Sequence, residues 1–333
     1  MRNLRYAALS GAIVLALGVS ACGDSDDGGS GSTSGGDGAA LSGTIRIDGS
    51  STVAPLTEAM AERFMAENPD VRISVGTSGT GGGFEKFCQG ETDANDASDK
   101  IDEETIAACE RGGVEWEEIT VANDALTVVV NPENPIRCLT TDQVAQIWGP
   151  RSSVKSWSDV TGTDPSYDAE LVAFGPGTDS GTFAYFTETI NGEEGAQRTD
   201  YNNVGEDDNQ TVTGVAGAPG GIGYFGYSFY EENSDAIKAL EIDGGDGCVA
   251  PSPETVADGT YAPLARGLFV YPSAEALARP EMDAFLQFYL DNIETVAPEV
   301  GYIALTPDQL SESQAKLESL ISAGGGSTEE SGS

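Results

Sequence analysis

The 333-residue chain carries 16 Lys and Arg against 55 Asp and Glu, a formal charge of −39, and no histidine. Such a surface repels nucleic-acid phosphates and anionic headgroups at long range, which argues against sequence-independent binding to nucleic acid or to a membrane surface. Without His there is no Ser-His-Asp or Cys-His pair, no HExxH zinc site and no imidazole proton switch.

Arg2 and Arg5 open a basic segment, an apolar run follows to about Val19, and Val19-Ser20-Ala21-Cys22 closes it. The run is short for a membrane span and ends on small residues, as a secretory signal over 1–21 does. Val-Ser-Ala-Cys also resembles the bacterial lipobox, which implies lipidation at Cys22 and a membrane contact through that anchor only; the alternative is an ordinary signal followed by an incidental Cys. Residues 23–40 (GDSDDGGSGSTSGGDGAA) can bury nothing and read as part of a flexible tether over 22–42. The expected location is the outer face of the cell membrane or the periplasm. Beyond Cys22 lie Cys88, Cys109, Cys138 and Cys248, an even number in an exported chain, so two disulfides are expected with three pairings open. None has CxxC spacing, and a zinc site is not expected.

The remaining core of roughly 280 residues suggests two domains, followed by a polar, disordered tail over 323–333. Its pattern alternates strand and helix. A strand over 41–48 precedes a helix that Ser51 can cap, with Val53, Leu56, Met60 and Phe64 spaced by three and four, and Asn68-Pro69 stops it. Val71, Ile73 and Val75 alternate as a second strand, which makes a βαβ opening and an α/β protein. The run Ala125 to Val130 reads as a strand buried on both faces. A helix over 142–148, a strand over 171–174, a helix over 182–190, a strand over 268–271, and helices over 280–291 and 307–321 complete the series.

Three glycine and hydroxyl loops each follow a strand and precede a helix: Asp48-Gly49-Ser50-Ser51-Thr52, Gly76 to Gly83, and Gly175 to Thr182. A helix N-terminus offers unpaired N–H groups and partial positive charge, glycine lets a ligand approach the backbone, and Ser or Thr adds a hydroxyl donor. One such loop is explained by a cap and a tight turn; three converging in a cleft make an anion pocket built from dipoles. The second loop lacks the Gly-Lys-Ser/Thr ending of a P-loop, and no GxGxxG pattern with a downstream acid occurs, so neither nucleotide nor other cofactor is expected.

The segments IDGSSTVAPLTEAM, VGTSGTGGGFEKFCQGETDANDASDKI and FGPGTDSGTFAYF, in this order, resemble the phosphate-binding lipoproteins and periplasmic proteins of the high-affinity phosphate ABC transporter, the PstS family. GGIGYFGYSFY, YAPLARGLFVYP and RPEMDAFLQFYL resemble the same family, so the likeness extends over about 43–321. It implies an α/β, two-lobed periplasmic-binding-protein fold with a hinge and an interlobe ligand cleft. One lobe would combine 43–123 with 261–322 and the other span 124–260, which would place Cys88 with Cys109 and Cys138 with Cys248. The implied function is extracytoplasmic capture of inorganic phosphate by a monomer that delivers it to permease subunits, with no reaction performed. By motif, the first loop supplies Ser51, Thr52 and the Val53 N–H, the second Thr80 or Ser78, and the third Ser180, Gly181 and Thr182.

In DANDASDKI the family pattern places an acid at Asp99, accepting a hydrogen bond from a proton on phosphate. A carboxylate facing an anion is repulsive unless the ligand brings a proton, which phosphate does and sulfate does not, so Asp99 would select against sulfate. Its other reading is as the cap of a helix starting near Asp102. Some relatives place an arginine just before Ser-Gly-Thr, where this chain has Gly175, Pro176 and Gly177, and no Lys or Arg occurs between Lys155 and Arg198. A cation would come from elsewhere, with Lys100, Arg72 and Lys86 as candidates, or be absent. The alternatives are a binding protein for another oxyanion (sulfate, molybdate or a phosphate ester), a phosphate-processing hydrolase, and a surface adhesion or sensing protein. Against a hydrolase, the acidic runs Glu115-Trp116-Glu117-Glu118 and Glu206-Asp207-Asp208 read as solvated loops.

Overall fold

The structure, a computed structural model, describes residues 40–205 and 207–325. The signal, Cys22, most of the tether and tail, and Glu206 lie outside the described residues. β1 (Gly43–Gly49), α1 (Ala54–Glu67), β2 (Val71–Val75), α2 (Thr80–Phe87), β3 (Ala94–Ala97) and α3 (Glu103–Gly112) form the opening series. β1 lies between β2 and β3 and runs parallel to both. The chain therefore leaves these three strands at one edge of the sheet, and the loops that follow them are neighbours there.

The middle of the chain holds β4 (Ile119–Val130), β5 (Cys138–Thr140), α4 (Thr141–Trp148), β6 (Val172–Gly175), α5 (Gly181–Asn191), β7 (Asn202–Asn203), α6 (Asp208–Gly217) and β8 (Gly221–Gly226). It continues through α7 (Tyr227–Asn233), β9 (Lys238–Ala239), β10 (Glu241–Asp243), β11 (Cys248–Val249) and α8 (Pro253–Ala257). β12 (Ala265–Pro272), α9 (Ala274–Leu277), α10 (Pro280–Glu299) and α11 (Pro307–Gly325) end the described chain. The main sheet runs β2-β1-β3-β12-β4-β8-β6-β7, with β9 also against β4, while β11, β10 and β5 make a small second sheet. β4 changes partner along its length: residues up to Ala125 pair antiparallel with β12, and Leu126 to Val130 pair antiparallel with β8.

Apolar packing is gathered in two large clusters. In the first, Ile45 and Ile47 of β1 meet the α1 stripe of Val53, Leu56, Met60 and Phe64, together with Phe285, Tyr289 and Ile293 of α10. In the second, Val128 and Val130 of β4 pack with Trp148, Trp157, Phe186 and Tyr224, the last two stacked with ring centroids 3.7 Å apart. Every residue from Ala125 to Val130 is buried, as an apolar run facing protein on both sides requires.

Two local expectations are corrected. Ser51 does not cap α1: it lies two residues ahead of the cap position, which Val53 fills with no side-chain cap, and in the preceding turn the Ser50 hydroxyl accepts the Thr52 N–H at 3.2 Å. The Ser50 carbonyl then accepts the Ala54 N–H at 3.1 Å. The helix expected over 280–291 runs on to Glu299, since Ile293, Val296 and Ala297 continue its buried stripe. The cysteines pair as Cys88–Cys109, between the end of α2 and α3, and Cys138–Cys248, between β5 and β11. Among the described residues, no helix is long and apolar enough to cross a membrane.

Candidate functional site

The first loop is tied tightly to β3. The Ser50 N–H donates to the Asp96 carbonyl at 2.8 Å. Gly49, at φ +141°, comes so close to β3 that a Cβ there would lie 2.1 Å from that same carbonyl oxygen, and only glycine fits. Ser51 is exposed, Val53 is fully buried, and Thr52 lies between them, half-buried. The Tyr302 hydroxyl donates to the Thr52 carbonyl, and the Thr52 hydroxyl accepts from Arg266 Nη2 at 3.1 Å.

The second loop separates its two candidate hydroxyls. The N–H and Oγ of Ser78 both donate to Asp48 Oδ1, at 2.9 and 2.7 Å, and Lys86 pairs with the other carboxylate oxygen. Partial burial works against the charged form of Asp48, but Lys86, Ser78 and the Gly49 N–H prevail and hold its carboxyl at about 2. Ser78 is thus engaged in fastening its loop to β1. Thr80 heads α2, where its hydroxyl accepts the Ser98 N–H at 3.2 Å and lies 3.3 Å from the Ser98 hydroxyl, beside Asp99. The glycines divide in the same way. Gly83 is required by packing, because a Cβ there would meet Asn95 Oδ1 at 2.0 Å and the Gly49 Cα at 2.5 Å, whereas Gly79 and Gly81 have open space.

In the third loop Ser180 begins α5, and its hydroxyl makes no capping bond to the helix. Gly181 and Thr182 form the first turn, whose N–H groups precede any intrahelical acceptor. One turn on, Tyr185 lies under Arg266, with the guanidinium carbon 3.6 Å from the ring centroid, and its hydroxyl donates to the Pro263 carbonyl at 3.1 Å. Burial pushes the Tyr185 phenol well up; Arg266 pulls it down, and Asp124 and Asp99 push it up further. Arg266 thus touches both the first loop and the third-loop helix.

Asp99 is exposed and lies between β3 and α3. It is not the cap of α3: Asp102 fills that place, accepting the Thr105 N–H at 2.7 Å. The cations named from sequence are committed elsewhere. Lys86 pairs with Asp48, and Lys100, 73 % exposed, lies 3.4 Å from Glu118. Arg72 bonds the Pro69 and Val71 carbonyls of its own strand entrance at 2.6 and 2.9 Å. A cation that reaches both the Thr52 hydroxyl and the α5 helix is Arg266, which is absent from the candidates named from sequence. Its signal there is faint but physical: Asp124 and Arg266 are lone charges inside apolar strands, and they are directly opposite across β4 and β12.

Glu118, read from sequence as part of a solvated run, instead accepts the Tyr271 hydroxyl at 2.7 Å with only 17 % of its side chain exposed. Asp207 of the other acidic run accepts the Asn209 N–H at the start of α6. Among the described residues, the one cluster with metal-ligand spacing is Cys138, Glu241 and Cys248, and both of its sulfurs are spent in a disulfide.

A family model described as a PBP superfamily domain matches residues 34–292. Protein SphX of Synechococcus elongatus is 44 % identical over 264 residues, 78 % of this chain and 77 % of that protein. The phosphate-binding protein PstS of Staphylococcus saprophyticus is 36 % identical over 282 residues, 84 % of this chain and 86 % of that one. The crystal structure of a possible phosphate binding protein from Planctomyces limnophilus superposes with a TM-score of 0.79 at 41 % identity, covering 84 % of this chain and 99 % of that one. The chain, with its mixed α/β sheet, belongs to the PBP superfamily and, within it, to the family that holds SphX and the PstS phosphate-binding proteins.

Proposed function

We propose that the protein is an extracytoplasmic receptor that takes inorganic phosphate between two lobes and delivers it, chemically unchanged, to the permease subunits of an ABC transporter. The observation that carries this reading is the link that Arg266 makes between the loops, from the Thr52 hydroxyl of the first to the α5 helix of the third. Thr52, the Val53 N–H, Thr80, Ser180, Gly181 and Thr182 then bind the anion through hydroxyls and helix N-termini, and Asp99 accepts a hydrogen bond from the phosphate O–H. Ser78 supports the second loop through Asp48, and the exposed Ser51 flanks the site. The lobes are 43–123 with 261–322, and 124–260, each built around one of the two large apolar clusters. Lipidation at Cys22 would hold the monomer at the outer face of the cell membrane, with the tether letting it reach the permease.

The family supplies binding and transport proteins, and the two acidic runs are used in caps and internal hydrogen bonds, which supports a role without catalysis. Isothermal titration of the purified chain with phosphate and with sulfate tests the function. Phosphate is expected to bind at one site with a dissociation constant of about 1 μM or tighter, and sulfate at least about 10⁴-fold more weakly. Sulfate binding as tight as phosphate binding, or no uptake of phosphate, would overturn the reading.

A further inference from the structure

We propose that Arg266 is the cation that grips the bound anion, supplied from β12 in a chain whose third loop carries none; this assignment rests on the phosphate reading above. Arg266 is the second residue of β12, with only 14 % of its side chain exposed. Its Nε donates to Asp124 Oδ2 at 3.2 Å and its Nη2 to the Thr52 hydroxyl at 3.1 Å, while its face rests on Tyr185. The carboxylate, the ring and the strand register fix the guanidinium plane, and a plane so fixed can offer its remaining N–H donors to a tetrahedral oxyanion.

An ion pair between directly opposed strand residues could serve the sheet alone, and a buried pair of that kind is weak evidence for stability. Two observations point beyond the sheet. The guanidinium reaches out of the strand pair to a hydroxyl of the first glycine loop, and it packs against the helix that Ser180, Gly181 and Thr182 begin. A side chain placed between two anion-binding loops has little purely structural reason to be a fork of five donors, where a neutral residue would fill the space without desolvating a charge. Asp124 balances Arg266 before the ligand arrives, so an acidic protein can carry a cation at its site without leaving a buried charge unpaired. Burial pushes the Asp124 carboxyl up, and Arg266 pulls it back.

Phosphate titrations of four proteins test the assignment: wild type, Arg266→Gln combined with Asp124→Asn, Arg266→Lys, and Arg72→Gln. The double variant removes both charges, so any loss reports the missing cation and not an Asp124 carboxylate left facing the anion. It is expected to bind phosphate about 100-fold more weakly. Arg266→Lys keeps the charge and a partner for Asp124 but loses the fork, and is expected to bind about 10-fold more weakly. Arg72→Gln removes one positive charge at an exposed position, a change in total charge that neither Arg266 variant makes, and is expected to stay within about 2-fold of wild type. If wild type binds phosphate and the double variant binds it equally well, the Arg266 assignment falls while the phosphate reading stands. If the double variant does not fold, Arg266→Lys decides: affinity equal to wild type overturns the assignment. If wild type takes up no phosphate, the phosphate reading falls and this assignment with it.

Discussion

Asp99→Asn is expected to lower the preference for phosphate over sulfate by about 100-fold or more, chiefly by letting sulfate bind. The two anions share size and shape, and near neutral pH they differ in the proton that phosphate carries. Hydroxyls and helix N–H groups donate, and donors alone cannot tell these anions apart. A carboxylate can, because it accepts the phosphate O–H and meets sulfate with repulsion and an unfilled acceptor. Asp99 is exposed, and the cap of α3 is already supplied by Asp102, so the helix gives Asp99 no competing task. An asparagine amide can turn its N–H₂ toward sulfate, which removes the rejection at its origin. Competition titrations of both anions against both proteins provide the measurement, and discrimination unchanged in Asp99→Asn would remove Asp99 from the site.

The second large effect concerns stability and pH. Asp96 on β3 is fully buried, and burial pushes its carboxyl from 3.8 up to about 8, against a pull from the Thr57 hydroxyl and with a further push from the Asp48 charge. The Tyr289 phenol of α10, 3.1 Å from the Thr57 hydroxyl, is raised well above its ordinary value by burial, with Asp96 adding to the rise. The folded protein therefore keeps the Asp96 proton over a range in which the unfolded chain has lost it. The stability this proton supports is complete below pH 3.8, declines as pH rises from there, and is lost by pH 8. Asp96→Asn copies the protonated form and does not titrate. Its stability relative to wild type should thus rise between pH 5 and pH 8 by an amount on the order of several kcal/mol, since each pKa unit is worth about 1.4 kcal/mol. Denaturant unfolding of both proteins at the two pH values measures the change. A constant offset from the added amide cancels in this comparison, and a difference that does not vary with pH would show that Asp96 is ionised in the fold.

The parts of the site that depend on neighbours in sequence are legible in the amino-acid order alone. A strand, a glycine, a hydroxyl residue and a helical stripe within a dozen positions announce a helix N-terminus, and α1, α2 and α5 begin where such runs occur. Details within those runs are less securely encoded: composition offers Ser51 as the cap of α1, but the turn geometry puts Val53 at that position with no side-chain cap and leaves the Ser50 hydroxyl to the Thr52 N–H ahead of the helix. The roles of Ser78 and Thr80 are likewise undivided by the loop itself, and it is Asp48, thirty residues away, that separates them by taking both donors of Ser78. Arg266 is the extreme case. It is 214 residues from Thr52 and 142 from Asp124, and what unites them is the register of β12 on β4. No local pattern encodes that register, so nothing in the residues around each loop points to this cation.

The most direct measurement of phosphate capture at these loops is a crystal structure of the chain grown with phosphate. One phosphate ion is expected within hydrogen-bond distance of the Thr52 and Thr80 hydroxyls and the α5 N-terminal turn at Ser180 to Thr182, with Asp99 opposite a phosphate oxygen. Phosphate bound away from these groups, or the cleft empty at saturating phosphate, would contradict it.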